Sequence, residues 1–347
     1  MKSLIKRLKP DIIYRWILVW GCLLASLCTS MGQESQAGFA FIDHPSSTQQ
    51  AALGGLNLTS SHDPLMFLAN PSGMDSTIVG AASFHYLNFP GGVDIFQMGY
   101  HWSSWGNGIM GAGLQYFNYG AFEGYDETGS YTGKFYAREF AITLGHAFSQ
   151  GVFQYGGSLK LLGSILESYN AYALAFDFGV GYQHPKKDLK MGMVVKNLGF
   201  PISSYLEGQK KLSLPTDIKI GLSIKPEHMP VRFHLTARNI KKEERDYFYS
   251  FRDSSNDQSG WGESVFRRLI WGAEILAHDN FRMQIGYNHL IRKELSVASG
   301  NGLGGFSGGF TLGIKKFELS YTRMFYQVAS AANLIGITTN INDLRSF

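Results

Sequence analysis

From about Gly80 to Ile341 the chain keeps returning to two-faced segments of roughly ten residues, the length a strand needs to cross a bilayer. Phe281, Met283, Ile285 and Tyr287 alternate with Arg282, Gln284, Gly286 and Asn288. Val231, Phe233, Leu235 and Ala237 alternate with Arg232, His234, Thr236 and Arg238. In the stretch Tyr172–His184, Tyr172, Leu174, Phe176, Phe178, Val180 and Tyr182 make one face. Ala173, Ala175, Asp177, Gly179 and Gly181 make the other. A period of two marks a strand with one apolar and one polar side. Repeated over most of a chain, it predicts an all-β transmembrane antiparallel barrel, here of about fourteen strands. The predicted inner faces, carrying Arg232, Arg238, Asp177 and Lys219, are polar.

The linkers give an independent reading. Counted from the first strand, the even connections are short: Ser103–Asn107, Ser149–Val152, Pro185–Leu189, Pro226–Pro230, Ala277–Asn280 and the Lys315–Lys316 corner. The long ones, Gly120–Tyr136, Gly199–Thr216, Ile240–Phe266 and Ile291–Ser307, are all odd. Short turns on one side and long loops on the other are the habit of outer-membrane barrels. The Lys241–Ser264 loop is therefore expected outside.

Residues 1–32 read as a secretory signal peptide. Lys2, Lys6, Arg7, Lys9 and Arg15 precede the apolar run Trp16–Leu27, and Ser30 and Gly32 suit cleavage before Gln33. Cys22 and Cys28, the two cysteines, fall inside it, so a disulfide framework or thiolate site is not expected in the mature chain. The charge balance changes as well. Of 31 Lys+Arg and 27 Asp+Glu, the signal holds five and one (Asp11), leaving 26 of each. The mature chain therefore lacks the basic footprint of a nucleic-acid binder. Aromatics at 14% and 41 glycines fit interfacial girdles and a crowded barrel wall. The last residue, Phe347, is an aromatic of the kind that barrels delivered to outer-membrane assembly often carry. Residues 33–79 lack strand periodicity but carry Phe39, Phe41, Ile42, Leu53, Met66 and Phe67, and are expected to fold into the lumen as a plug. The domain reading is thus 1–32 signal, 33–79 plug and 80–347 barrel.

The plug segment holds the most specific strings: Gly38-Phe39-Ala40-Phe41-Ile42, His44-Pro45-Ser46-Ser47, Ala51-Ala52-Leu53-Gly54-Gly55, Asp63-Pro64-Leu65 and Ala69-Asn70-Pro71-Ser72-Gly73. They resemble the start of the PorV/PorQ family of type IX secretion proteins, in particular its PorQ branch. Tyr119-Gly120, Tyr155-Gly156, Lys196-Asn197-Leu198-Gly199, Leu214-Pro215 and Pro230-Val231-Arg232-Phe233 continue the resemblance. Gln49 stands where the family usually has Arg, and Ser72 replaces Ala of an Asn-Pro-Ala turn. The resemblance implies a barrel of the fatty-acid-transporter type in the outer membrane of a Bacteroidetes-like bacterium. It further implies a non-enzymatic part of the attachment complex that holds a PorZ-like surface protein. That complex includes PorV and a sortase, which links cargo to lipopolysaccharide, so contact with lipopolysaccharide would be indirect.

Chemical strings change this picture little. Gly300-x-Gly302-x-x-Gly305 matches a dinucleotide fingerprint, but a strand rather than a helix should follow. Gly305-Phe306-Ser307-Gly308-Gly309 matches a nucleophile elbow without the strand-to-helix turn it requires. Both read as a glycine-rich outer loop. Arg232, His234 and Arg238 share the polar face of the ninth strand, where a solvated lumen explains them and an anion site is the alternative. Glu243, Glu244, Arg245 and Asp246 read as a charged surface loop. No catalytic, cofactor or metal site is expected. Tyr247, Phe248, Tyr249, Phe251 and Trp261 are the candidate partner-binding residues, because aromatics among loop charges are enriched where proteins meet; loops packing on each other over the barrel mouth are the alternative reading. Anchoring of a surface partner and transport of a hydrophobic compound are the two leading readings. An outer-membrane lipase or deacylase is a third, without a Ser/His/Asp set to support it.

Overall fold

The computed structural model describes residues 38–60, 62–104, 108–206, 212–240, 261–295, 302–327 and 330–344. Fourteen strands form one closed antiparallel barrel in sequence order. They are β1 (Ala81–Phe89), β2 (Val93–Ser103), β3 (Gly108–Tyr125), β4 (Tyr131–Gln150), β5 (Phe153–Leu166), β6 (Tyr169–Gln183) and β7 (Leu189–Ser203). Then come β8 (Asp217–Ile224), β9 (Val231–Ala237), β10 (Leu269–His278), β11 (Phe281–Asn288), β12 (Phe306–Ile314), β13 (Phe317–Gln327) and β14 (Ser330–Asn340). Closure comes from β1 against β14, from Ala81↔Asn340 to Asn88↔Asn333. Among the described residues no helix is long and apolar enough to cross a membrane. Closure is what makes a spanning sheet viable, since it leaves no open edge in lipid.

The alternation read from the sequence sets the two faces. Phe178, Val180, Phe233, Met283 and Ile285 are exposed outside, while Ala173, Ala175, Asp177, His234 and Gln284 are buried inside. An outward band of large apolar side chains is stable only against lipid. The face carrying His234 is not solvated, because the plug fills it. His234 Nδ1 lies 2.9 Å from Asn57 Nδ2.

Two length expectations are corrected. The stretch Gly120–Tyr136, read as a loop, is the far end of β3 and β4, joined by the turn 126–130. Its Gly and Asp residues suggested a loop, but Phe122, Tyr125, Tyr131 and Phe135 pair as strand. β7 likewise runs on to Ser203. The parity of the connections otherwise holds, with the long ones 204–216, 238–268 and 289–305 on one rim, assigned as the outer rim.

The segment Gly38–Val79 threads the lumen from that outer rim to the opposite one, where Gly80 leads into β1. It holds one short helix, α1 (Thr48–Ala52), and several 3-10 turns. Ser47 caps α1 by accepting from Gln50 N at 3.1 Å, and its hydroxyl donates to Asp63 Oδ2 at 2.5 Å. Asn70 Oδ1 accepts from Ser72 N at 3.1 Å and Asn70 Nδ2 donates to Leu58 O at 3.1 Å, with Pro71 opening the turn. The strings that carry the family resemblance thus do local structural work in the plug. Phe41 packs on Phe117 at 5.1 Å between ring centroids, and Phe67 packs on His101 at 5.0 Å. Inward glycines let the plug backbone touch the wall. A Cβ at Gly286 would overlap Gly54 N and the Leu53 carbonyl carbon, and one at Gly156 would overlap the Pro71–Ser72 peptide.

Candidate functional site

Three features meet at the outer end of the lumen: a cavity, a layer of buried charge beneath it, and a tall rim on one side. The cavity is about 390 Å³, within the ordinary range for a small-molecule pocket. Its floor is the plug, through Gly38, Ala40, Asp43, Pro45, Gly55 and Leu56. Its apolar wall is Ile270, Leu290, Ile291, Met324 and Tyr326, and its polar wall is Asp217, Lys219, Arg238, Asn239 and Glu294.

The charged layer is built by strand register. Lys160 on β5, Asp177 on β6 and Lys219 on β8 all point inward. Lys160 Nζ lies 2.5 Å from Asp177 Oδ2, with side chains 2% and 0% exposed. Their approach falls outside hydrogen-bond angles, so this is an ion pair rather than an aligned hydrogen bond. Lys160 also donates to Asn197 Oδ1 at 3.1 Å, and Asn197 N donates to Asp177 Oδ1 at 2.8 Å. Asn197 sits at φ 57° in a bulge of β7, the left-handed conformation that Asn tolerates better than most residues. It then ties the rim down: Asn197 Nδ2 donates to Pro215 O, and Thr216 Oγ1 donates to Asn197 O, both at 3.0 Å. Lys196, also buried, donates to Leu68 O of the plug at 3.1 Å.

At the cavity itself Lys219 Nζ pairs with Asp43 at 3.0 Å and with Asp217 at 3.8 Å. Burial pushes the Asp43 carboxyl up, but Lys219, with Lys196 and Lys160 behind it, outweighs burial and holds it below its usual value. Arg238, just past β9, is different. Its backbone N–H donates to Arg268 O, but its Nε is buried without a partner. Glu294, Asp43 and Asp217 are the acidic groups near enough to favour its charge.

The residues singled out from the sequence fare unevenly. Tyr247, Phe248, Tyr249 and Phe251 lie outside the described residues, as do Glu243, Glu244, Arg245 and Asp246. Trp261 opens helix α2 (Trp261–Phe266) at the end of the same connection. That helix is fixed by Glu263, whose carboxylate lies 3.3 Å from Arg267 Nε and from His289 Nε2, and 3.6 Å from Lys293 Nζ. The trio Arg232, His234 and Arg238 is not brought together as an anion site. Arg232 pairs with Glu274 at 2.9 Å and Asp188 at 2.7 Å at the inner rim, His234 holds the plug, and Arg238 lies at the outer rim with its Nε unpartnered among the described residues. Ser307 of the elbow-like string is buried, its hydroxyl donating to Ala52 O at 2.8 Å and accepting from Gly54 N at 3.0 Å. Among the described residues no group of three or more His, Cys, Asp or Glu side chains is placed to hold a metal ion.

Sequence reasoning missed Asp43 and the partnership of Lys160 with Asp177 and Asn197. The signal was present as charge at inward positions of neighbouring strands, but only the register shows that they share a height.

No protein-family model matches the chain, and no curated protein sequence does. Solved structures do match. The crystal structure of the P. putida toluene transporter TodX aligns at a TM-score of 0.51 and 10% identity, over 86% of this chain and 99% of that one. A second crystal structure of the Pseudomonas putida toluene transporter TodX aligns at 0.50 and 10%, over 88% and 98%. A Pseudomonas aeruginosa FadL homologue aligns at 0.48 and 9%, over 85% and 98%. The shared property is the fold, a closed antiparallel β-barrel like that of TodX.

Proposed function

We propose that this barrel is a plugged channel for a small hydrophobic compound with one polar, acceptor-bearing end. The outer-mouth cavity carries the reading. Its apolar wall of Ile270, Leu290, Ile291, Met324 and Tyr326 suits a hydrocarbon body. Opposite stands Arg238, a cation with a buried, unpartnered nitrogen that a carboxylate or hydroxyl would satisfy. Lys219 contributes less, because Asp43 and Asp217 already hold it. The plug closes the way inward, so passage requires it to shift. The fold shared with the toluene transporter supports the reading by analogy alone. Mass spectrometry of organic extracts from the purified barrel tests it. An amphiphile recovered with the wild type and lost from Arg238→Met is the expected result, and equal recovery from both removes the site.

A second reading has its own observation. The strings Ala51-Ala52-Leu53-Gly54-Gly55 and Asn70-Pro71-Ser72 resemble the PorV/PorQ pattern, and they build the plug that seals this lumen. On this reading the barrel is a sealed, non-enzymatic anchor for a PorZ-like surface protein, beside PorV and the sortase of the attachment complex. Affinity purification from detergent-solubilised outer membranes tests it. A stoichiometric surface protein is expected, and recovery of the bare barrel contradicts it.

A further inference from the structure

The tall side of the rim ends in a ribbon that the barrel does not need. β2 accompanies β3 only as far as Asp94↔Asn118, and β5 accompanies β4 only as far as Leu166↔Ala137. Beyond that height β3 and β4 pair with each other alone: Ala121↔Tyr136, Phe122↔Phe135, Glu123↔Lys134, Gly124↔Gly133 and Tyr125↔Tyr131. One bond crosses to a neighbour, from Glu167 N to Tyr136 O at 3.0 Å. Among the described residues both edges above it pair with no further strand.

The ribbon is held rigid at both ends. At its tip the Asp126 carboxylate accepts from Thr128 N and Ser130 N, each at 2.9 Å. At its base Tyr119 donates to Glu139 at 2.5 Å, Ser164 donates to the same carboxylate at 2.9 Å, and Tyr205 donates to Ser164 at 2.6 Å. Two-stranded ribbons are marginal in water, and this one bears exposed aromatics. Phe122 stacks on Phe135 at 5.3 Å, Tyr125 meets Tyr131 at 5.8 Å, and Phe122, Tyr125, Tyr131 and Tyr136 are all exposed. Rigid aromatics lose little entropy when they are covered. The charge is one-sided, with Glu123, Asp126 and Glu127 against Lys134.

We propose that the ribbon is a docking edge for a basic, extended segment of a protein partner, added as a further strand. Free backbone N–H and C=O groups supply the hydrogen bonds of strand addition, the aromatics supply contact area, and the excess carboxylates select lysine or arginine. The same carboxylates disfavour the phosphates of a lipid surface. This inference goes beyond uptake and does not depend on what crosses the barrel.

Hydrogen exchange read by mass spectrometry on the full-length protein in micelles tests it. The probe is a short peptide of alternating lysine and valine. A glutamate–valine peptide and lipopolysaccharide without peptide are run beside it. Protection confined to amides within 121–135, given by the basic peptide alone, is expected. The double variant Glu123→Lys, Glu127→Lys should weaken binding about tenfold. Glu127→Lys alone, in the exposed turn, should weaken it less and guards against a folding defect. Equal protection by the acidic peptide or by lipopolysaccharide would overturn the proposal. So would the absence of protection by the basic peptide, or undiminished binding by the double variant.

Discussion

Replacing Lys160 by methionine should leave Asp177 as a buried, unpaired charge in the barrel wall. The two side chains are 2% and 0% exposed and their charged atoms are 2.5 Å apart. At an effective dielectric constant of about 20 their attraction is roughly 7 kcal/mol, most of it spent against desolvation. What removal of one partner exposes is the desolvation cost of the other, about 3–5 kcal/mol for a buried pair. Lys160→Met should therefore destabilise the barrel by about that amount. Asp177→Asn added to it removes the stranded charge and keeps an oxygen to accept from Asn197 N. The double variant should regain about 2 kcal/mol, within the usual range of coupling for residues in contact. Equilibrium urea unfolding in detergent micelles, followed by tryptophan fluorescence, measures the wild type, Lys160→Met, Asp177→Asn and the double variant. A loss below about 1 kcal/mol for Lys160→Met, or an additive double variant, would refute the reasoning.

Three further changes probe other parts of the structure. Burial pushes the Asp63 carboxyl from 3.8 up to about 6, against the Ser47 hydroxyl and Leu65 N–H that favour its charge. A raised carboxyl value adds stability below about pH 4 that is lost as pH rises through 6. Asp63→Asn should hence change little at pH 4 and stabilise by about 3 kcal/mol at pH 8; parallel pH–stability curves would contradict this. Gly286→Leu should displace the plug, since its side chain meets Gly54 and Leu53 backbone, at a cost of about 1–3 kcal/mol; unchanged single-channel conductance would argue against it. Ile285→Arg, at an outward position 50% exposed, should cost about 2–4 kcal/mol if that face meets lipid, as vesicle-based unfolding would show, and nothing if it meets water.

The barrel was legible because a period of two cannot be mistaken over so many segments. Ile285 and Gln284, or Phe178 and Asp177, declare opposite faces on sight. Loop parity then ordered the strands without any contact information. The ends were less legible. Tyr119-Gly120 looked like the start of a loop, yet Gly120, at φ 78°, lies where the register shifts and the strand continues. The site was hardly legible at all. Lys160, Asp177 and Asn197 lie far apart in sequence and meet only through the staggered register of β5, β6 and β7. Arg238 read as one of three lumen cations. The ion pairs of Arg232 and the plug bond of His234 take those two away from the outer cavity, which Arg238 lines with an Nε unpartnered among the described residues.

Flux through the purified barrel in liposomes tests the uptake reading most directly. The measurement is entry of a labelled medium-chain carboxylic acid into vesicles carrying wild type, Gly286→Leu or Arg238→Met. Entry above protein-free vesicles, faster with the displaced plug and slower without the arginine, is the expected result. Entry no faster than in protein-free vesicles for all three would contradict uptake and leave the barrel as a sealed surface anchor.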